Sequence, residues 1–254
     1  MYRNLYDTDP TTWSPQGRIH QIEYAMEAVK QGTCVVGLRS KTHVVLGALK
    51  KAQTQMSSHQ QKLYKVDDHV GFAASGLTAD ARVLASYMRT QCQQEKYEFD
   101  EALPVGRLVA DVGDRSQANT QRMGKRPYGV GLLVAGSDMT GPHLFETCPS
   151  GNYFEYEAMA LGSRCQSAKT YLEKHFKTFK EVSVDDLIMH ALKALKKASE
   201  TADDEITAES VDIAIVGAEQ KFKILSNEEL QVYLDRLASE VTAAEGGEAP
   251  MDTT

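Results

Sequence analysis

The sequence predicts a layered α+β fold, and three observations carry the prediction. β-rich runs come in groups, helical patterns come in groups between them, and short polar turns join neighbouring runs. Such grouping favours antiparallel sheets covered by helices over a doubly wound parallel sheet, in which strands and helices alternate one by one. At 254 residues the chain can bury a sizeable core as one large or two small domains.

The first predicted element is a helix. After the turn-forming Ser14-Pro15-Gln16-Gly17, the residues Ile19, Ile22, Met26 and Val29 recur at three- and four-residue spacing with Ala25 beside them, which places them on one stripe. Lys30 suits the last turn and Gly32 stops the helix. Residues 33–38 and 43–49 flank the polar turn Arg39-Ser40-Lys41-Thr42 as a hairpin, and residues 63–66 and 70–74 form another through Asp67-Asp68.

Two helices follow. Thr78 is the expected cap of the first, with Asp80 at its positive end and Ala81, Leu84, Ala85, Met88 and Cys92 on its inner face. The second starts near Pro104 and turns Val105, Leu108, Val109 and Val112 inward.

Strands resume at residues 128–135, 143–147, 153–156 and 158–161, with a turn over 138–141. The next helix carries Ala168, Tyr171, Leu172, His175 and Phe176 on its predicted buried side. Ser183 and Asp186 resemble a capping box for a further helix, whose stripe is Leu187, Ala191, Leu192, Leu195 and Ala198. Val211, Ile213 and Ile215 alternate as a strand that residues 222–225 can pair with. Asn227 is the expected cap of a terminal helix bearing Leu230, Tyr233, Leu234 and Leu237.

The domain division is 1–32 as a tail and amphipathic helix, 33–238 as the core, and 239–254 as an acidic tail. That last segment holds Glu240, Glu245, Glu248 and Asp252 without Lys or Arg and reads as disordered.

A hydrophobic fraction of 42% with 25% charged residues belongs to a globular protein. The net charge of −7 argues against a nucleic-acid partner, and Lys193, Lys196 and Lys197 read as a solvated face flanked by Asp185, Asp186, Asp203, Asp204 and Glu205. No stretch has the apolar length to cross a membrane, and Asp7, Asp9 and Pro10 interrupt any secretory signal. Cys34, Cys92, Cys148 and Cys165 are widely spaced, which fits reduced, largely buried thiols in an intracellular compartment.

The chemistry-bearing motifs are sparse. Gly129-Val130-Gly131 lacks the further glycines and the helix start that cradle a pyrophosphate, and the histidines show no metal-ligand spacing, so neither a metal nor a cofactor is expected. Gly32-Thr33 is the one catalytic candidate. A threonine hydrolase can use the α-amine of an N-terminal Thr to take the proton from its own hydroxyl, which would require scission behind Gly32. The helix stripe upstream instead reads as retained for packing.

Several separated motifs then agree in order. Tyr6-Asp7, the run from Trp13-Ser14-Pro15-Gln16-Gly17-Arg18 through Tyr24-Ala25-Met26 to Gly32, Lys62-Leu63, Ser75-Gly76-Leu77-Thr78-Ala79-Asp80-Ala81-Arg82 and Arg126-Pro127-Tyr128-Gly129-Val130-Gly131 resemble proteasome α-type subunits. The resemblance covers nearly the whole chain before Leu237. It implies a four-layer αββα sandwich of the N-terminal-nucleophile hydrolase type.

It also implies a noncatalytic structural and gating role in the outer ring of the 20S core, within ATP- and ubiquitin-dependent protein degradation. The implied partners are six other α-type subunits in a seven-membered ring, the β-ring subunits, a regulatory ATPase cap or other activators, and unfolded polypeptide passing the pore. The implied location is cytoplasm and nucleus. Tyr6, Asp7, Pro15 and Tyr24 correspond to the family's gate cluster, and Lys62 and Gly76 to its activator-docking pocket. Ile19, Ile22, Met26 and Val29 are the expected assembly helix. Against the catalytic β-type relatives, Thr33 falls at the nucleophile position, Leu49 at the acidic one, and Lys62 near the lysine without its partners. A threonine hydrolase acting through Thr33 and a stand-alone adaptor using the helix and acidic tail are the competing readings.

Overall fold

In the computed structural model, which describes residues 5–51, 56, 60–199 and 206–245, strand alternation builds two stacked sheets. One sheet contains β1 (Val35–Arg39), β2 (His43–Leu49), β8 (Ala158–Leu161), β9 (Val211–Gly217) and β10 (Lys223–Ile224), in the order β10-β9-β2-β1-β8. The other contains β3 (Leu63–Lys65), β4 (Val70–Gly76), β5 (Val130–Asp138), β6 (Gly141–Thr147) and β7 (Tyr153–Glu155), ordered by number. Every pairing is antiparallel.

Period-two side-chain direction sorts the residues into layers. Val35, Val44, Leu46, Leu133 and Ala135 point between the sheets, where they meet Leu63, Leu144 and Phe222. Their neighbours Val36, Leu38 and Val45 point outward into a core with α4 (Cys165–His175), α5 (Val184–Ala198) and α6 (Asn227–Glu245). On the second sheet Phe72, Leu132 and Val134 point outward toward α2 (Thr78–Phe99) and α3 (Val105–Gln121). Because both faces of each sheet are covered, the central strands are apolar on both sides, and fully burying each Val, Leu or Phe contributes roughly 1.5–3 kcal/mol. The result is the αββα order of layers that the resemblance implied. α1 (His20–Gln31) stands apart from these layers, packed across the ends of β4 and β5.

Several local expectations change. Thr78 is the first residue of α2 and Leu77 its cap, without a side-chain cap bond; the Thr78 hydroxyl instead accepts from Gln60 Nε2. Asn227 likewise lies inside α6. Ser226 precedes it and makes a capping box, with Glu229 N donating to Ser226 Oγ at 3.4 Å and Ser226 N donating to Glu229 Oε2 at 3.0 Å. The Ser183 cap is present, accepting from Asp186 N at 3.2 Å.

Phe176 is 36% exposed, because α4 ends at His175 and the buried aromatic beneath it is Phe179 in the following turn. Cys148 and Cys165 are only partly buried, unlike Cys34 and Cys92. The terminal helix continues to Glu245, past the point where the sequence placed the start of a disordered tail. Residues 246–254, and Asp203, Asp204 and Glu205 beside the lysine face, lie outside the described residues.

Candidate gating and docking site

The chain enters α1 through a closed turn. Gly17 N donates to Ser14 O at 2.9 Å, Ser14 N donates to Arg18 O at 2.8 Å, and Arg18 N donates to Ser14 Oγ at 3.1 Å. Pro15 occupies the turn with its fixed φ, and Gly17 takes φ 72°, where a side chain would be strained. Both are exposed, with Ser14 buried beneath them.

Two residues on one face of α1 then grip the segment before the turn. The Tyr24 hydroxyl donates to Asp7 Oδ2 at 3.2 Å, and Gln21 Nε2 donates to the Asp7 carbonyl oxygen. Residues three apart on a helix share a face, so one face of α1 holds both the side chain and the backbone of Asp7. Desolvation, and then the Asp7 carboxylate, push the Tyr24 hydroxyl above its ordinary value. Tyr6 is 41% exposed beside this contact. Sequence reasoning missed Gln21, although its spacing from Tyr24 was a signal for it.

The adjoining face of α1 is fixed. Ala25 and Val29 are buried, while Ile19 and Ile22 are half-buried. Met26 departs from the predicted stripe at 43% exposure, because Ala25 and Val29 centre the packed line and Met26 lies about 80° round the helix from that centre. It borders a cavity of about 450 Å³ with Val29, Cys148, Leu161 and Cys165. At the C-terminal end of α1, Ser75 Oγ donates to the Val29 carbonyl at 3.0 Å and Ser163 N donates to the Gly32 carbonyl at 2.6 Å. A Cβ on Gly32 would meet Gly76 N and lie 2.5 Å from Ser75 Oγ, so the helix end and the end of β4 touch backbone to backbone.

Gly76 is constrained twice. Its φ of 117° lies in the region that favours glycine, and a Cβ there would run into the Gly129 carbonyl oxygen. Two residues back along β4, Ala74 N donates to the Lys62 carbonyl at 3.0 Å, which sets Lys62 beside this junction. Leu63 points between the sheets, so Lys62 projects on the side facing α2.

Lys62 is 4% exposed, which the sequence did not suggest for a lysine beside one leucine. No ion-pair partner faces it among the described residues, and burial alone pulls its ammonium below the ordinary lysine value. An unpaired, desolvated cation is costly and accepts an incoming carboxylate readily.

Thr33 follows Gly32 at the junction of α1 with β4. Its hydroxyl donates to the Leu49 carbonyl at 2.7 Å, and it borders a cavity of about 230 Å³ with Leu49, Lys50, Lys51, Arg164 and Ser210. Lys62 does not line that cavity. Lys50, which does line it, is paired to Asp212 at 2.8 Å. Among the described residues no group of three or more His, Cys, Asp or Glu is placed to hold a metal ion, and no helix is long and apolar enough to cross a membrane.

Two adjoining family models match the chain. The family model for the N-terminal signature of A-type proteasome subunits matches residues 6–28, which hold the Asp7 grip and most of α1. The model described as Proteasome subunit matches residues 29–216. The chain is 54% identical over 240 residues to proteasome subunit α type-1 of Dictyostelium discoideum, covering 94% of this chain and 97% of that one. It is 49% identical to the protein of the same name in Drosophila melanogaster, covering 90% and 83% of the two chains. It is 48% identical to a protein named as a probable proteasome subunit α type-6 in Schizosaccharomyces pombe, covering 96% and 89%.

Proposed function

The chain belongs to the proteasome subunit family, in its α type, and from that premise we propose that it is a noncatalytic structural and gating subunit of the outer α ring of the 20S core. The observation that carries this reading is the packing of the α1–Gly32–Thr33 junction. There α1 is pinned by Ser75 and Gly32 by Ser163, while the Thr33 hydroxyl is committed to Leu49. A threonine nucleophile needs a free α-amine and an available hydroxyl, and this arrangement favours neither. Peptide hydrolysis then belongs to other chains of the particle, in the cytoplasm and nucleus where the family works.

The gate reading rests on the Tyr24–Asp7 contact. Two polar contacts, from the Tyr24 hydroxyl and the Gln21 amide, hold Asp7 to α1, whereas the packed side of α1 is buried, so the segment before Pro15 can exchange between two positions on a fixed anchor. In the ring, six α-type neighbours and the β ring cover the remaining surfaces. Lys62 and Gly76 receive the terminal carboxylate of an ATPase cap or another activator.

The test is removal of the residues before Pro15 in an otherwise intact particle. Hydrolysis of small peptides rises if this segment closes the pore to polypeptide, and unchanged hydrolysis counts against the gate.

A further inference from the structure

A closed hydrogen-bond circuit lies under the Gly76 wall. Asp80, 5% exposed in the first turn of α2, accepts from Arg126 Nη1 at 2.6 Å, from Arg126 Nη2 at 2.8 Å and from Gly129 N at 2.9 Å. Gly129 O in turn accepts from Leu77 N at 2.9 Å, and Leu77 O accepts from Asp80 N at 3.1 Å. Three residues from α2, the β5 approach and the end of β4 thus fix one another. The carboxylate is held below its usual range, first by the Arg126 hydrogen bonds.

Little slack remains in this circuit. The Gly129 oxygen lies where a Gly76 side chain would be, and a Cβ on Gly129 would lie 2.8 Å from Leu77 Cδ1. Leu77 itself is an exposed apolar side chain next to Gly76. A shift of Gly129 therefore moves both the backbone beside Gly76 and the apolar wall of Leu77. Arg126 holds the Asp80 carboxylate through a bidentate, charge-assisted pair, the strongest geometry such a contact has.

We propose that Asp80 and Arg126 are positioning residues for the docking pocket, acting through Gly129 to set the Gly76–Leu77 wall against which the end of an activator chain packs. The proposal rests on the reading of Lys62 as the carboxylate site. It assigns charge recognition to Lys62 and shape recognition to the pair.

Particles carrying Arg126→Gln, Arg126→Lys or Lys62→Ala test it, with a C-terminal activator peptide bound as the free acid and as the amide. Arg126→Gln is expected to weaken both forms by the same factor, about tenfold, with saturating peptide restoring full stimulation. Arg126→Lys, which keeps a cation but not the planar fork, falls between it and wild type. Lys62→Ala instead removes the preference for the acid.

Unchanged affinity in Arg126→Gln, or a loss confined to the acid, overturns the proposal. Amide exchange at Leu77 reads the circuit without any peptide. It quickens in Arg126→Gln if the pair positions the wall, and an unaltered rate refutes the pair whatever the peptides do. Failure of the Lys62 reading has a different signature: wild-type particles would bind acid and amide equally.

Discussion

Ser75 reaches from β4 to the last turn of α1, where its buried hydroxyl donates to the Val29 carbonyl at 3.0 Å and lies 3.4 Å from the Thr33 carbonyl. One side chain thereby gives the Val29 carbonyl a second donor beside Gly32 N and ties the helix to the sheet strand that carries Gly76. Replacing Ser75 with Ala removes that donor while Gly32 N still serves Val29, and is expected to cost about 0.5–1.5 kcal/mol. Hydrogen exchange should rise in the last turn of α1 before it rises in β4, which locates the loss at the helix anchor.

A methyl group on Gly32 meets the Gly76 backbone and forces that junction apart, and a methyl group on Gly76 runs into the Gly129 carbonyl on the other side. Gly76→Ala also takes on the strain of its positive φ. Each substitution is expected to destabilise by about 3 kcal/mol, with Gly76→Ala the worse, as measured by denaturant unfolding. Gly17→Ala provides the control. It has a positive φ but open space around it, so about 1 kcal/mol is expected.

Lys62 costs stability in the isolated fold. Because burial lowers its ammonium below the ordinary value, the unfolded chain holds that proton more tightly than the folded one. The cost of the buried charge is therefore present while both states are protonated. It is relieved as pH rises from the lowered folded value toward the ordinary lysine value, so stability climbs across that alkaline window. Lys62→Met should raise stability at neutral pH by about 0.5–2 kcal/mol, abolish the alkaline climb and weaken activator docking. Thermal unfolding across the pH range, with docking measured at limiting activator, reads all three.

Thr33→Ala removes the hydroxyl bond to Leu49 and nothing that catalysis uses if the hydrolysis belongs to other chains. About 1 kcal/mol of stability is lost, and the peptidase activity of the assembled particle stays at the wild-type level. A loss of activity without loss of assembly would restore Thr33 as a nucleophile.

Asp80 bears on acid stability. Its folded value lies below the ordinary carboxylate value, so its contribution is complete above that ordinary value and is lost as pH falls through the lowered one. Asp80→Asn should flatten the acid limb of an unfolding profile over that window, and an unchanged limb would show that the Arg126 pair is not maintained in solution.

Much of the layered fold was legible because strand alternation is a local signal. β2 and β8 have the bounds that the apolar runs suggested, and the inward faces of α2, α3 and α5 follow from helical spacing alone. Caps were less legible, since Thr78 and Asn227 are good cap types that sit one residue inside helices whose starts are set by Leu77 and Ser226. The site was legible only in part. Asp7 and Tyr24 were both marked, but Gln21 completes their contact through a backbone carbonyl, which no residue type announces. The burial of Lys62 and the Asp80–Arg126 pair depend on β3 and β5 flanking the same strand, a relation that exists only once the sheet has formed.

The central claim is that this chain is a retained, noncatalytic ring component. Native top-down mass spectrometry of the particle purified from its source tests it most directly, since one spectrum reports both assembly and the terminus of the ejected chain. The expected result is a heteromeric particle from which this chain is released with its residues before Thr33 intact. A stable monomer alone, or a chain beginning at Thr33, would contradict it.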